Sequence, residues 1–179
     1  MPQRRDALAG AAEIVLAVES AAWSTGSPDS VATVGSCQIF PGAVNSVPSL
    51  VTLEIDVRDT DAKWRDAMLE AIGSACDRIG AKRRLEITRE VLNADTPGRC
   101  DPMVVDAIVR ACQAAGRRFT RLVSRAYHDS LFMSRIAPTG MIFIPCRAGI
   151  SHRPDEYASP ENIAAGIEVL AHALADLAS

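Results

Sequence analysis

The sequence predicts a chain of two parts, an α+β sandwich of the split βαβ kind over residues 1–94 and one edge of an α/β layer over residues 95–179. Three observations carry this. Val51, Leu53, Ile55 and Val57 alternate strictly with Thr52, Glu54, Asp56 and Arg58, which marks a strand with one face buried. Around it the periodicity runs helix, strand, strand, helix, strand, a split βαβ sandwich without its first strand. After Asn93 the pattern changes to short apolar runs without alternation, the signature of strands covered on both sides.

Each element has its own signal. Residues 5–22 place Leu8, Ala12, Val15 and Leu16 at helical spacing. Residues 31–40 read as a strand, followed by a connection containing Pro41, Gly42 and Pro48. Trp64, Met68, Ala71, Ile72, Ala75 and Ile79 mark a second helix, and Leu85, Ile87 and Val91 a half-exposed strand. In the second part, Asp101 can cap a helix with Pro102 at its first position, Val105, Ile108, Val109 and Cys112 as its stripe, and Gly116 at its end. Residues 119–123 and 141–145 read as short strands. Ser159 and Pro160 open a last helix whose stripe is Ile163, Ile167, Leu170, Leu174 and Leu177. There is no internal repeat and no low-complexity tract.

Composition narrows the function classes. With 179 residues the chain can bury roughly 70% of its unfolded surface, enough for a real core. A net charge of −3 without a basic block argues against nucleic acid as a partner. Arg4 and Arg5 precede an alanine-rich stretch, but Asp6 and Glu13 interrupt it, so a signal peptide is not expected. No apolar run approaches the eighteen or more residues of a membrane span, and the expectation is a soluble chain with no membrane partner. Cys37, Cys76, Cys100, Cys112 and Cys146 are odd in number, widely spaced and without a CxxC pair. They read as reduced thiols that mostly pack, which suits a cytoplasmic protein.

Two of the three histidines stand in comparable places. His152 lies in Gly149-Ile150-Ser151-His152-Arg153-Pro154-Asp155-Glu156, directly after the apolar run 141–145, and His128 lies in Ser124-Arg125-Ala126-Tyr127-His128-Asp129-Ser130, after 119–123. In open α/β sheets ligands bind where strands end, so both histidines are candidates for one crevice. The plainer alternatives are a loop histidine at 152 and a capping residue at 128, beside Asp129 at the start of a helix over 129–136. His172 sits on the polar side of the last helix and has only a structural reading.

Four stretches in this order make the chain resemble the C-terminal part of the M20-type metal-dependent amidohydrolases. They are Met1-Pro2-Gln3-Arg4-Arg5-Asp6-Ala7, Thr33-Val34-Gly35 through Pro41-Gly42-Ala43-Val44-Asn45, Asp56-Val57-Arg58, and the two histidine loops. The resemblance is to the branch of N-carbamoyl-L-amino acid hydrolase, allantoate amidohydrolase and β-ureidopropionase. It implies a ferredoxin-like βαββαβ lid or dimerisation domain lacking its first strand over 1–94. It also implies that 95–179 are the C-terminal edge of an α/β metallo-hydrolase catalytic domain.

The same resemblance implies hydrolysis of a C–N bond in an N-carbamoyl amino acid or related ureido compound, with a pair of zinc or manganese ions in the complete enzyme. His152 corresponds to a metal ligand, His128 to a substrate-contacting catalytic residue, and Asn45 and Arg58 to substrate-carboxylate binders. Asp155 and Glu156 can then support the orientation of His152. Arginine suits a carboxylate because its planar fork donates two parallel hydrogen bonds. Asn45 and Arg58 are separated by about 30 Å if the intervening chain is extended at roughly 3.3 Å per residue. A homodimer that brings Asn45 of one chain to Arg58 of the other removes that conflict.

The family's remaining metal ligands and its glutamate base have no counterpart in these residues, and Met1 falls on an internal methionine of the family motif. A mis-called start, a split gene or a deliberate truncation would account for this. The expectation is a chain that is inactive alone and holds no stable metal, since a catalytic zinc takes about three protein ligands. Other readings are a non-catalytic dimerisation or interaction module, a gene remnant, and an aminoacylase or peptidase of the same superfamily. Arg125 and Tyr127 stand where the family pattern Ser-Gly-Ala-Gly-His-Asp-Ala has glycines, and Ser130 where it has alanine, which is expected to narrow the pocket or move the loop.

Overall fold

The computed structural model describes residue 1 and residues 3–179, so Pro2 of the first motif lies outside the described residues. Two compact units result, Met1–Pro97 and Gly98–Ser179. The chain is a mixture of helices with one small antiparallel sheet.

The first unit is built from α1 (Ala7–Ser24), β1 (Val31–Phe40), β2 (Leu50–Arg58) and α2 (Ala62–Arg83). Asp6 caps α1 by accepting the Ala9 N–H at 3.1 Å, and Asp61 caps α2 by accepting the Lys63 N–H at 2.9 Å. α2 ends on Arg84 in the left-handed conformation, with its N–H donated to the Gly80 carbonyl. β1 and β2 pair antiparallel from Val31 opposite Arg58 to Phe40 opposite Leu50. A bulge lies between Val34 and Ser36. It changes the parity of β1, so that Ala32 and Val34 before it and Cys37 and Ile39 after it share the face of Val57, Ile55, Leu53 and Val51.

That face and the two helices enclose the core of the unit. Ile14, Val18 and Ala21 of α1 meet Met68, Ile72, Ala75, Cys76 and Ile79 of α2, with Ala32, Val34, Leu53 and Val57 packed beneath them. Of the stripe expected on α2, Met68, Ile72, Ala75 and Ile79 are buried, Trp64 is half-buried and Ala71 is exposed. On α1 the expected stripe is not buried: Gly10, Ala11, Ile14, Val18 and Ala21 are buried, whereas Leu8, Val15 and Leu16 are exposed. α1 is apolar on nearly every side, so periodicity alone does not select a face, and packing against α2 and the hairpin selects the one that carries Ala11, Ile14, Val18 and Ala21. The same all-round apolarity makes α1 long and apolar enough to cross a membrane by length and composition.

Residues 85–91 carry no sheet ladder, contrary to the strand expected there. Leu85 and Ile87 keep the predicted alternation and pack beside Gly10 and Gly80. A strand exists only through a partner's hydrogen bonds, and 85–91 pairs with neither β1 nor β2.

The second unit contains α3 (Pro102–Ala114), α4 (Ser130–Met133), a single 3₁₀ turn at Arg147–Gly149, and α5 (Pro160–Leu177). Asp101 and Ser159 cap α3 and α5, each ahead of a proline in the first turn. Ala111 and Cys112 of α3 pack against Val169 and Ala173 of α5, with Ile108 and Ile142 beside them. The stripe predicted on α5 is accordingly misassigned: Ile163, Ile167, Leu170, Leu174 and Leu177 are between 39% and 61% exposed. The small side of α5 allows the close approach, and the large residues face away from α3.

Residues 119–123 and 141–145 are not strands either, for the reason that applies to 85–91. The second of these segments is nevertheless firmly placed. Gly140 lies against Val104 and Ile108 of α3, Gly166 of α5 accommodates Ile144, and the Asn162 side-chain amide donates to the Pro145 carbonyl at 3.1 Å. A side chain at Gly140 or Gly166 would have nowhere to go.

The ends of β1, β2 and α2 are joined by a polar network around Asp59, a charged side chain only 9% exposed. Its carboxylate accepts from the Ser30 hydroxyl at 2.6 Å and from the Asp61 N–H at 2.8 Å, and Ser30 in turn accepts from Thr25 at 2.7 Å. Burial raises the pKa of Asp59, but these hydrogen bonds outweigh it and hold the carboxyl below its usual value of 3.8. A depressed carboxylate pKa contributes stability that is present above 3.8 and lost as pH falls through the folded value. Asp59→Ala is expected to destabilise the first unit by about 1–3 kcal/mol, the range for stranding buried hydrogen-bonding groups. Urea unfolding at pH 7 measures this, and repeating it at pH 3 should give a smaller difference between variant and parent.

Candidate functional site

In the first unit the candidate residues lie at opposite ends of the hairpin. Asn45 is exposed in the 41–49 connection, whose turn is closed by the Ser46 N–H to the Ala43 carbonyl at 3.1 Å and the Ser49 N–H to the Phe40 carbonyl at 3.0 Å. The Ala7 N–H donates to the Pro48 carbonyl at 3.1 Å, which ties this connection to the start of α1. Arg58 is at the other end, opposite Val31. Its Nε is 2.9 Å from Asp56 Oδ1 and 2.7 Å from Oδ2, two residues away on the same exposed face of β2. The paired ribbon between Leu50 and Arg58 spans about 26 Å at roughly 3.3 Å per residue. One small molecule cannot touch Asn45 and Arg58 of the same chain.

In the second unit His128 is half-buried and held on two sides. The Ser124 Oγ lies 2.7 Å from its Nε2, and its ring packs at 5.8 Å, tilted by 56°, on the ring of Phe143. Phe143 belongs to the placed segment 141–145, so α3 and α5 determine indirectly where this histidine stands. Tyr127, in a glycine position of the family pattern, meets Phe132 edge-on at 5.9 Å. α4 is shorter than the 129–136 helix expected, and Asp129 makes no side-chain cap bond. His128 is therefore not part of a side-chain cap.

His152 occupies a loop closed by the Arg147 N–H to the Tyr157 carbonyl at 2.8 Å, with the Arg147 guanidinium 5.5 Å over the Tyr157 ring. Its φ of +59° puts it in the left-handed region, as do Ala148 and Gly149 in the same loop. Histidine adopts this conformation more readily than most side chains. The expected support of its ring by Asp155 and Glu156 is not found. Glu156 accepts from the His152 backbone N–H at 3.1 Å, and Asp155 takes both arms of Arg153 at 2.9 and 3.0 Å. These carboxylates hold the loop's backbone shape.

Among the described residues no three His, Cys, Asp or Glu side chains converge on a point where a metal ion could sit. A zinc site takes three or four protein ligands, so the side chains of this chain do not fit a metal by themselves. The chain purified with excess zinc and then dialysed is expected to retain well under one equivalent, measured by elemental analysis; a stoichiometric ion would contradict this.

The periodicity that located the elements missed two groups, Asp59 and the Ser124–His128 pair. Ser124 is at i−4 from His128, but no helix connects them, so spacing alone carries no signal of contact.

The profile of peptidase family M20/M25/M40 matches residues 8–176. A ureidoglycolate hydrolase of Oryza sativa subsp. japonica is 47% identical over 178 residues, covering 99% of this chain and 37% of that protein. An N-carbamoyl-L-amino acid amidohydrolase of Geobacillus stearothermophilus is 38% identical, covering 99% and 43%. The crystal structure of AtUAH in complex with (S)-hydroxyglycine superposes with a TM-score of 0.92 at 44% identity, over 99% of this chain and 42% of that one. The chain thus spans about two fifths of the length of the relatives it matches. Enzymes of this family are generally metal dependent. On the match over 8–176 and these identities, the chain belongs to the M20/M25/M40 family of hydrolases, in its amidohydrolase group.

Proposed function

We propose that the protein of which these residues form part hydrolyses a C–N bond of a small ureido carboxylate, an N-carbamoyl amino acid, allantoate or ureidoglycolate, in the cytoplasm. The observation that carries this is the 47% identity to a ureidoglycolate hydrolase, beside 38% to an N-carbamoyl-L-amino acid amidohydrolase. Both names describe substrates that join a ureido group to a carboxylate. Arg58 recognises the carboxylate, and His128 meets the substrate beside the bond that breaks.

The first unit acts in this reading as a ferredoxin-like βαββαβ lid and dimerisation domain. The open edge of β2 and the alternating segment 85–91 then accept a further strand from outside these residues. The second unit is the C-terminal segment of the catalytic domain, where His152 contributes one ligand to a divalent-metal site. Zinc and manganese both suit an imidazole and carboxylate ligand set. The separation of Asn45 and Arg58 within one chain supports a homodimer in which each site takes Arg58 from one chain and Asn45 from the other.

A panel of ureidoglycolate, N-carbamoyl amino acids and allantoate tests the reaction in the protein at its family length; no turnover of any member would end this reading. Arg58→Ala is expected to lower kcat/KM about 10- to 100-fold, the range for losing a hydrogen bond to a charged group, and Arg58→Lys should not restore it. Mixed dimers test the shared site. Asn45→Ala and Arg58→Ala proteins, each weak alone, should recover about a quarter of parental activity when refolded together, because half of the dimers are mixed and each has one intact site. Failure to recover any activity would mean that no site combines Arg58 of one chain with Asn45 of the other.

A further inference from the structure

The two nitrogens of His128 are not equivalent. Nε2 is 2.7 Å from Ser124 Oγ, whereas Nδ1 makes no hydrogen bond among the described residues. A half-turn of the ring would put a carbon where Nε2 stands and lose the Ser124 contact, while the packing on Phe143 holds the ring plane. Among the described residues the Ser124 hydroxyl makes no other hydrogen bond, so it has no competing task.

We infer that Ser124 is a positioning residue that donates its hydroxyl to Nε2 and thereby keeps the proton of neutral His128 on Nδ1, the atom that meets the substrate. This rests on the proposed role of His128 in ureido carboxylate hydrolysis and deepens it. A neutral imidazole has one donor and one acceptor nitrogen, and a serine hydroxyl can serve either, so the direction of this bond follows from the role required of Nδ1. The oxygen of a ureido carbonyl can only accept a hydrogen bond. A histidine that addresses that oxygen must therefore present N–H, and with Nε2 occupied only Nδ1 can do so. The interaction strengthens as charge builds on the oxygen, which places its effect on kcat more than on KM.

No proton is transferred in this role, and no bond is made or broken at His128. The ring arrives already oriented, with its donor directed by a side chain four residues earlier rather than by solvent. Free imidazole side chains in water favour the proton on Nε2, so the arrangement is distinguishable from an unconstrained histidine.

Two measurements test the inference. Nitrogen-15 correlation spectra of this chain, taken where His128 is neutral, should show the pyrrole-type nitrogen at Nδ1; a proton on Nε2 would overturn it. In the protein at family length, with ureidoglycolate and N-carbamoylglycine as probes, Ser124→Ala should lower kcat about 10- to 100-fold with little change in KM, as lost support of a functional histidine commonly does. Ser124→Thr, which keeps the hydroxyl, should restore most of the rate, so a loss caused by misfolding is separated from the loss of the donor. His128→Ala at parental kcat/KM would remove the site reading and the inference with it. Loss of activity in His128→Ala together with a parental kcat in Ser124→Ala would overturn the inference alone.

Discussion

The burial of Met68 and Val18 is the constraint on which the first unit depends. Both are essentially removed from solvent at the junction of α1, α2 and the hairpin. Burying a side chain of this size contributes about 1.5–3 kcal/mol, and the contact requires both helices on one face of the ribbon. The other face is then left to polar side chains, among them Arg58 and its neighbour Asp56. Residue placement in the candidate site follows from core packing rather than from any feature of Arg58 itself.

The second unit uses a different device. Its helices touch through small residues, Ala111, Cys112 and Ala173, and the close approach leaves room for the 140–145 segment to be placed beside them at Gly140 and Gly166. The segment makes no ladder, yet it presents Phe143 to the ring of His128 and leads directly into the loop of His152. Side-chain packing, an amide-to-carbonyl bond and a backbone clasp between residues 147 and 157 do here what a sheet would do in a larger layer. The large apolar side chains of α5 point away from this contact, a surface suited to further packing.

Ion pairs contribute less to either unit. Arg110–Asp176 at 2.6 Å and Arg117–Glu168 at 2.7 Å join α3 and its following turn to α5, but their side chains are well exposed. Exposed pairs of this kind contribute about 0–1 kcal/mol. Asp59 is the exception in kind, because its carboxylate is buried and its partners are neutral donors in a half-buried network.

The sequence alone determined the elements whose signals are local: the capped helices at Asp101 and Ser159, the strict alternation of β2, and most of the stripe of α2. It also determined the order of motifs that assigns the chain to its family, since residue type and spacing need no partner to be read. Three things were decided by tertiary structure. On α1 and α5, apolar on several sides, only packing selects a face. At 85–91, 119–123 and 141–145 the residues suit strands, but pairing needs a second edge that these residues do not supply. At His128 the motif names the residue, whereas the identity of the occupied nitrogen depends on where the chain brings Ser124 and Phe143. Each is a relation between distant surfaces or across a loop, and such relations have no counterpart in local periodicity.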